Sequence, residues 1–351
     1  LGCSSFGGPI AHLGYFHQEF VQQRKWVTES QFSQLLAICQ FLPGPASSQL
    51  GFTLGLLRAG GLGAMAAFLG FTLPSALLLF SFASSLSLLS GEVGVAIVQG
   101  LKLVACAVVA DAVLKMWSKL CPDPERRTIA VVAMSVVFMG DSAWFQIFVV
   151  LGGAIAGLWA YRGENSEIGD TVQVHYGKKC SFFLFSIFAF FLLFFLLMTP
   201  FSQELFAIAD AFYRAGALVF GGGHVVLPLL EESVVNTGWI SQEAFLSGYG
   251  ATQAIPGPMF AFSAYLGAII PTSSSSWVVA SLALCFIFLP GFLLVTAILP
   301  IWQRVYYSSK VFRAIAGVNA AVVGLLAAAL YDPIFTSGVQ SRIDLAIVTL
   351  S

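Results

Sequence analysis

The chain has 351 residues, of which 58% are hydrophobic and only 9% are charged, and its formal net charge is −1. Soluble globular domains carry about 25% charged residues, so this composition excludes a chain whose whole surface faces water. The nearly balanced charge provides no basic surface, and we expect no nucleic-acid partner. The six cysteines are scattered without a CxxC pair, which favours buried cysteines over a metal site. We expect no metal and no other cofactor.

Five apolar runs have the length of membrane-spanning helices. A bilayer core about 30 Å thick requires about 20 apolar residues of helix, and none of these runs alternates in polarity as a transmembrane strand does. The runs cover residues 62–90, 143–161, 181–199, 277–303 and 311–331. The sequence therefore predicts an all-α polytopic membrane protein in a lipid bilayer, with the plasma (inner) membrane as its expected location.

Two stretches of the chain resemble each other. Phe6-Gly7-Gly8 aligns with Phe220-Gly221-Gly222 at an offset of 214 residues. After one gap, Pro43-Gly44-Pro45 aligns with Pro256-Gly257-Pro258 at an offset of 213. Matching glycine and proline blocks in the same order indicate two copies of one unit.

The repeat divides the chain into three parts. We predict a first transporter repeat at residues 1–161, a polar linker with an extra apolar helix at 162–204, and a second transporter repeat at 205–351. Internal repeats in helical membrane proteins are typical of transporters, whose substrate sites lie near the bilayer midplane where the repeats meet. A duplicated scaffold without a site is the alternative.

The charges of equivalent loops favour repeats that point in opposite directions. The loop between the two motifs carries Arg24 and Lys25 in the first repeat, whereas residues 231–243 carry three glutamates and no basic residue. Cytoplasmic loops are enriched in lysine and arginine. This difference favours an inverted repeat.

Glycine-rich blocks lie at equivalent positions of the two repeats. Such blocks loosen or break a helix, and broken backbone at membrane depth requires protein or a water-filled cavity around it. We therefore predict that these glycines line a substrate site, while close packing of helices by small residues is the alternative. The predicted residues are Gly7, Gly8, Gly221, Gly222 and Gly223.

Each Pro-Gly-Pro block interrupts an apolar stretch. Residues 30–42 and 243–255 are predicted helices that end at a block, and new apolar segments follow it. This pattern is typical of a broken helix or a re-entrant hairpin, whose second helix would direct free N–H groups and its positive dipole end to the interior. Two such termini would suit a divalent anion, and two kinked packing hairpins are the alternative. The predicted substrate-binding residues are Pro43, Gly44, Pro45, Ala46, Ser47, Pro256, Gly257, Pro258 and Met259.

Isolated polar side chains adjoin these blocks. Gln40 and Gln253 each precede a Pro-Gly-Pro block by three residues, and an amide can donate hydrogen bonds to an oxyanion. A hydrogen bond between helices is an equal alternative for both. His12 and His224 follow the glycine blocks and could donate to an anion or carry a proton, although a lone histidine is usually structural.

Several ionisable residues lie in apolar sequence, where charge is costly and often functional. Asp111 precedes Lys115 by four residues and Arg214 follows an aspartate at the same spacing, so an ion pair along the helix is the default for both. Lys102 can instead extend to the membrane interface. The candidates for proton or charge coupling are Glu19, Lys102, Asp111 and Arg214.

Motifs of catalysis do not occur in the sequence. It contains no HExxH, GxSxG or CxxC motif and no nucleotide-binding GxxxxGK[ST] motif. We therefore expect a protein that is not an enzyme, and nucleotide-driven transport would need a second chain.

Further blocks can be compared with known families. The first half carries Phe6 to Pro9 followed by Ala11-His12, then Arg24-Lys25-Trp26, and then Cys39 to Pro45, which reads Cys-Gln-x-x-Pro-Gly-Pro. The second half carries Phe220 to His224, which reads Phe-Gly-Gly-Gly-His. Together these blocks resemble the chromate ion transporter family, and the resemblance extends over nearly the whole chain, as in the two-domain, long-chain members.

The resemblance implies export of chromate, which gives chromate resistance, with sulfate as a related or competing oxyanion. It also implies opposite membrane topology of the two halves, in agreement with the loop charges. A sulfate or other anion carrier and a non-transporting membrane scaffold or subunit are the alternatives. A homodimer is a further expectation for the assembly.

One position departs from the family pattern. Arg214 and Gly216 precede the motif of the second half, and Gly2 matches Gly216, but the position matching Arg214 falls before Leu1. The chain also stops inside an apolar run. We therefore expect the native protein to extend beyond both ends.

Overall fold

A computed structural model describes residues 1–6, 8–85, 92–139, 143–160, 174, 176–197, 204–220, 226–302 and 309–350. All regular structure within these residues is helical, which confirms the predicted all-α class. The α-helices are α1 (Gly8–Phe16), α2 (Glu29–Phe41), α3 (Ala46–Ser85), α4 (Glu92–Leu120), α5 (Pro124–Val137), α6 (Ala143–Ala160), α7 (Lys178–Leu197), α8 (Glu204–Leu218), α9 (Val226–Val234), α10 (Gln242–Ala254), α11 (Phe262–Ile269), α12 (Ser276–Ile298), α13 (Ser309–Ala329), α14 (Thr336–Gly338) and α15 (Arg342–Leu350). The shorter segments are the π-helical His17–Gln23 and Leu330–Phe335 and the 3₁₀-helical Met259–Ala261 and Leu299–Ile301.

The helices form two compact units, and each unit takes segments from both sequence repeats. The first unit consists of Leu1–Ser84, Ser166–Gly223 and Ala254–Gln303. The second unit consists of Ser85–Asn165, His224–Gln253 and Arg304–Ser351. The first unit therefore contains both Pro-Gly-Pro blocks, while the division into repeats at 161 and 205 stays a prediction about the sequence.

Five helical segments in the described parts of the chain are long and apolar enough to cross a membrane. They are Ala46–Ser85, Ala96–Leu120, Lys178–Leu197, Ser276–Ile301 and Lys310–Gly338. Large apolar side chains face outwards on them, as Phe182, Phe183 and Phe190 do on α7, where each is more than 60% exposed. So much exposed apolar surface suits lipid and would be unfavourable in water. The protein is an integral membrane protein.

Helix α4 was not among the five apolar runs predicted from the sequence, although its Lys102 was predicted to lie in apolar sequence. Segment Ala96–Leu120 contains Lys102, Asp111 and Lys115, so it does not read as a continuous apolar run. Asp111 and Lys115, which are both more than half exposed, form an ion pair with each other along the helix, which lowers the cost of placing their charges in an apolar segment.

Helix α3 is a hairpin and not one straight rod. Ala59 and Gly60 leave the helical region, with Gly60 at φ 64°. A Cβ placed on Gly55 would lie 2.8 Å from the Cβ of Ala67 and would also clash with the carbonyl of Gly63. In a straight helix, residues eight apart are about 12 Å apart along the axis. Residues 46–58 (α3a) therefore fold back on residues 61–85 (α3b), and glycines allow the two helices to approach closely.

The second repeat contains a corresponding hairpin in the same unit. Helix α11 ends at Ile269, a loop covers 270–275, and α12 begins at Ser276. A Cβ on Gly267 of α11 would lie 2.7 Å from the Cα of Ala280 in α12. This hairpin is closed by the same device, a glycine that brings two backbones into contact.

Aromatic packing fixes the rest of the first unit. Phe195 of α7 and Tyr213 of α8 belong to one buried cluster, against which Phe286 of α12 packs. The hydroxyl of Tyr213 donates to the carbonyl of Phe188, 2.9 Å away, so this buried tyrosine leaves no unsatisfied hydroxyl.

Helix α13 is the central element of the second unit and packs on α4, α5 and α6. Its Gly317 lies against α6, where a Cβ would be 2.7 Å from the Cα of Gly157. Its Gly324 lies against α5, where a Cβ would be 2.8 Å from the Cβ of Ala133. Small residues thus set the helix spacing here, as is usual in membranes.

Candidate functional site

The two Pro-Gly-Pro blocks form turns with the same backbone conformation. Gly44 has φ 119° and Gly257 has φ 115°, a left-handed region that glycine adopts without the penalty of a side chain. The first turn joins α2 to α3a, and the second joins α10 to the 3₁₀ segment before α11. Helix α2 starts with a capping box, in which the Thr28 side chain accepts from the N–H of Gln31. This fixes the start of the helix that leads into the first turn.

Each turn donates a hydrogen bond to the other sequence repeat. The N–H of Gly44 donates to the carbonyl of Val219 at 2.7 Å, and the N–H of Gly257 donates to the carbonyl of Ser5 at 2.9 Å. Ser5 and Val219 directly precede the two Phe-Gly-Gly blocks and are equivalent at the offset of 214. The same backbone bond is therefore made twice, in opposite directions between the two repeats.

The space beside each glycine is closed by an equivalent position of the other repeat. A Cβ on Gly44 would lie 3.1 Å from the Cα of Gly291, and a Cβ on Gly257 would lie 2.5 Å from the Oγ of Ser75. Ser75 and Gly291 each follow the proline inside their apolar helix, Pro74 or Pro290. Both turns thus fit tightly against a helix and leave no room for a side chain.

Gln49 completes the first turn. Its side chain is fully buried, and its Nε2 donates to the carbonyl of Pro43 at 2.8 Å and to the carbonyl of Gly291 at 3.1 Å. One amide thus donates to two carbonyls, that of Pro43 in the turn and that of Gly291 in α12. Among the glutamines near this block, only Gln40 was predicted from the sequence to bind substrate, although Gln49, four positions after the second proline, is also polar in an apolar stretch.

Several buried polar groups lie together at the N-terminus of α3a. The first bond inside the helix joins the N–H of Gln49 to the carbonyl of Pro45, so the N–H groups of Ala46, Ser47 and Ser48 have no acceptor within the helix. The hydroxyl of Ser48 is 3% exposed and has no hydrogen-bond partner in the described residues. Unpaired donors at a helix N-terminus form the arrangement that binds anions in other proteins.

His12 lies beside the second turn. Its side chain is 1% exposed, and its Nε2 donates to the carbonyl of Ser5 at 3.2 Å, the same carbonyl that accepts from Gly257. The neutral ring carries one N–H, so Nδ1 is then an acceptor, and it has no partner in the described part of the chain. His12 can donate from Nδ1 only when it carries a second proton.

The other predicted polar residues have separate surroundings. Gln40 is half-buried near the end of α2. Gln253 is half-buried near the end of α10, and its Nε2 has no partner in the described residues. Met259 is buried and opens the 3₁₀ segment after the second turn.

Some predicted residues lie outside the described residues. They are Gly7, Gly221, Gly222, Gly223 and His224, together with most of the predicted polar linker. Gly8 is the first residue of α1. The role predicted for the glycine blocks therefore stays a prediction.

The four candidates for charge coupling all form ion pairs. The pairs are Glu19 with Arg24 (2.5 Å), Lys102 with Glu243 (3.0 Å), Asp111 with Lys115 (2.6 Å) and Arg214 with Asp210 (2.5 Å). The last two are the pairs predicted from their four-residue spacing, which is confirmed.

A buried carboxyl that was not among the candidates lies in the second unit. Glu231 of α9 is 6% exposed, and its Oε1 accepts from the Nε2 of Gln242 at 2.8 Å. Burial, assisted by the nearby carboxylates of Asp332 and Glu232, raises the pKa of Glu231 to about 8. From the sequence, Glu231 was counted among the glutamates of a polar loop, because its burial depends on tertiary packing.

Comparisons with known proteins find relatives over most of the chain. The chain is 28% identical over 334 residues, covering 94% of this chain and 81% of the relative, to a probable chromate transport protein of Synechococcus elongatus. It is 26% identical over 348 residues, covering 95% of this chain and 78% of the relative, to a chromate transport protein of Pseudomonas aeruginosa. A chromate transport protein of Cupriavidus metallidurans is 25% identical over 335 residues, covering 94% of this chain and 79% of the relative. No solved structure matches the chain significantly.

The sequence profile of the family described as chromate transporter matches residues 1–158 and 206–351. The two matched segments together cover most of the chain and leave out the region predicted to be the linker and extra helix. The chain belongs to the chromate transporter family.

Proposed function

We propose that this protein exports chromate as a divalent oxyanion across the plasma membrane and so confers chromate resistance, with sulfate as a competing substrate. The observation that supports this most is the N-terminus of α3a, where backbone N–H groups and the Ser48 hydroxyl are buried beside the first Pro-Gly-Pro turn. Helix N-termini bind anions without a buried cation. Chromate and sulfate are both tetrahedral dianions, so this site would accept either.

Ser48 gives a sharp test, because its hydroxyl makes no hydrogen bond within the described structure. Ser48→Ala should therefore fold normally and lose only a contact to the anion. A hydrogen bond to a charged group contributes about 1.5–3 kcal/mol, so KM should rise at least about tenfold. Ser186→Ala, at a half-buried position of α7 where the hydroxyl donates to the carbonyl of Phe182, is the control and should leave KM unchanged.

The measurement is uptake of labelled sulfate into liposomes that contain the purified protein, with and without excess chromate. We expect saturable uptake that chromate inhibits. Absence of flux under an imposed pH or anion gradient, with folded protein, would favour a non-transporting scaffold. Equal KM values for Ser48→Ala and the unchanged protein would place the anion site elsewhere. Failure of chromate to compete would instead favour a carrier for a different anion.

Export is tested in cells. Expression in a chromate-sensitive bacterium should lower chromate accumulation, and Ser48→Ala should restore it. Increased accumulation would instead mean that the protein takes up the anion and would contradict export.

We also propose that the two repeats are inverted. The reciprocal hydrogen bonds of Gly44 and Gly257 are the contacts that a pseudo-twofold axis produces, because each repeat then presents the same groups to the other. An axis in the membrane plane makes the repeats inverted, in agreement with the loop charges. The two hairpin tips, at residue 60 and at residue 273, should then lie on opposite sides of the membrane. Single cysteines at these two positions in a cysteine-free variant should react with a membrane-impermeant maleimide from opposite sides. Labelling from the same side would contradict the inversion.

A further inference from the structure

The first unit contains a second polar feature, separate from the Pro-Gly-Pro turns. A cavity of about 440 Å³ lies between the π-helical segment after α1 and the α3 hairpin. Its apolar lining includes Phe16 and the small residues of the hairpin, such as Gly55. Its polar lining consists of Glu19, Arg24 and Arg58. We call this cavity the arginine pocket.

Trp26 holds the two arginines of the pocket. The guanidinium carbon of Arg24 lies 5.6 Å from the centre of the Trp26 ring, and that of Arg58 lies 5.5 Å from it. Since the two guanidinium carbons lie 5.6 Å and 5.5 Å from the centre of one ring, they are at most about 11 Å apart, although Arg58 is on α3a and Arg24 follows the π-helical segment. Contact with an aromatic face also orients a guanidinium group without using its N–H donors.

The charge of the pocket is positive. Glu19 pairs with Arg24 at 2.5 Å, which leaves the charge of Arg58 without a carboxylate partner in the described residues. Two arginines and one glutamate give a net charge of +1 to the lining. In a chain with only 9% charged residues, two arginines beside one ring at a cavity are a local concentration of positive charge.

The corresponding tip of the other hairpin has the opposite character. Residues 270–275 contain no basic residue. There the carboxylate of Glu204 accepts from the N–H of Ser273 at 2.9 Å and from its hydroxyl at 3.0 Å. The basic cavity is therefore a feature of one hairpin, which a role in packing alone would not require.

We propose that the arginine pocket is a peripheral binding site for a small divalent oxyanion, which it concentrates before transfer to the Pro-Gly-Pro site. This inference rests on the proposed function. The guanidinium groups supply charge-assisted donors suited to an oxyanion, and Trp26 keeps them in place. A positive cleft with apolar walls raises the local anion concentration and the association rate, and salt weakens this effect.

The test compares Arg58→Gln with Lys179→Gln in the liposome assay, using liposomes of neutral lipid. Lys179 is exposed, lies in the same unit and is outside the pocket, so both variants lose one positive charge. Arg58→Gln should raise KM for sulfate about fivefold at low salt with little change in the maximal rate, and the difference should disappear at high salt. Lys179→Gln should behave like the unchanged protein.

Tryptophan fluorescence gives a second readout that does not depend on flux. Sulfate added to the detergent-solubilised protein should change the emission, and Trp26→Phe should remove that change. Arg58→Gln should shift it to higher sulfate concentration. Normal KM for Arg58→Gln, or a sulfate response that persists in Trp26→Phe, would overturn the proposal while leaving saturable transport intact. Loss of all flux in the unchanged protein would instead contradict the proposed function itself.

A phosphate group of an anionic lipid has the same chemistry as a free oxyanion. The assays are therefore repeated with anionic phosphatidylglycerol in the bilayer. A KM difference present in neutral lipid supports a site for the free anion. A difference that arises only with anionic lipid would overturn the proposal in favour of a lipid headgroup.

Discussion

The two Pro-Gly-Pro turns of the first unit share a backbone and differ in the side chains beside it. Both glycines have φ near +115–119°, and both donate to the carbonyl before the Phe-Gly-Gly block of the other repeat. Beside Gly44, however, the neighbouring helix offers Gly291, and the long side chain of Gln49 occupies that space. Beside Gly257 the equivalent position is Ser75, which occupies the space itself.

This difference distinguishes the backbone features that both turns require from the neighbouring side chains, which differ between them. A left-handed glycine and one backbone hydrogen bond are present in both turns, because the chain must reverse where no water satisfies its polar groups. The side chains that close the space are free to differ as long as they do not compete for it. The two hairpins likewise share a close backbone contact at a glycine and differ in the side chains at their tips. The tip of the α3 hairpin carries Arg58, whereas the tip between α11 and α12 binds Glu204.

The largest effect is expected from Gly257→Ala. It combines a left-handed backbone with a clash against the Oγ of Ser75, and it should lower the free energy of unfolding by about 3 kcal/mol. Gly60→Ala has a positive φ with ψ −154°, a region that only glycine adopts readily, without a neighbour within 4 Å, and should cost about 2 kcal/mol. Gly61→Ala has neither problem and should be neutral. Thermal unfolding of the three variants in detergent measures this order.

Adding Ser75→Gly to Gly257→Ala sharpens this result. Removing the Oγ removes the clash and leaves the backbone strain, so the double variant should be more stable than Gly257→Ala alone. Equal stability of the two would mean that the serine does not limit the space beside the turn.

The next effect concerns Gln49. Gln49→Ala leaves the carbonyls of Pro43 and Gly291 without their amide donor, and we expect a loss of about 2 kcal/mol. Gly291→Ser should destabilise the unchanged protein, because a Cβ there would lie 2.9 Å from the Nε2 of Gln49. In the Gln49→Ala background the same serine should raise the stability of the protein, since its side chain would occupy the space beside Gly44 as Ser75 does beside Gly257.

Chemical or thermal unfolding of the two single variants and the double variant forms a double-mutant cycle. Additive losses would show that Gln49 and the residue at 291 do not share one space. The two turns would then not be closed in equivalent ways.

A smaller effect is expected from His12→Phe. The carbonyl of Ser5 accepts from both His12 and Gly257, so it keeps one donor when the imidazole is lost. The cost should be about 1 kcal/mol, less than that of Gln49→Ala, whose two carbonyl partners lose a donor at the same time. A loss larger than that of Gln49→Ala in thermal unfolding would mean that the histidine, and not the glycine, holds the second turn.

The smallest effect concerns Glu204 at the second hairpin tip. Hydrogen bonds from the N–H and the hydroxyl of Ser273 lower the pKa of this exposed carboxyl. A lowered pKa adds stability that is present above the ordinary value of about 4.3 and is lost as the pH falls through the lowered value. Glu204→Gln should therefore slightly flatten the fall of the unfolding midpoint below about pH 4.3. Asp344→Gln, in the second unit, is the control. It should not change the contribution of Glu204 to the acid-dependent fall of the unfolding midpoint.

Much of this protein could be predicted from residue order alone. Unbroken apolar runs indicate helices, because only helices and closed barrels satisfy the backbone within lipid and barrel strands alternate in polarity. The two Pro-Gly-Pro blocks were identifiable because proline and glycine act on the local backbone. The ion pair of Asp111 with Lys115 was identifiable because four residues of helix bring two side chains to one face.

Tertiary structure decided the rest. The hairpin of α3 depends on contact between Gly55 and Gly63, and Arg58 meets Trp26 across more than thirty residues of sequence only in the folded chain. In the sequence, Gln49 is one polar residue in an apolar helix. Its second hydrogen-bond acceptor, the carbonyl of Gly291 in the other repeat, is known only from the tertiary structure. Local preferences determine where the chain turns, whereas the partners of a buried polar group depend on which distant backbone packs against it.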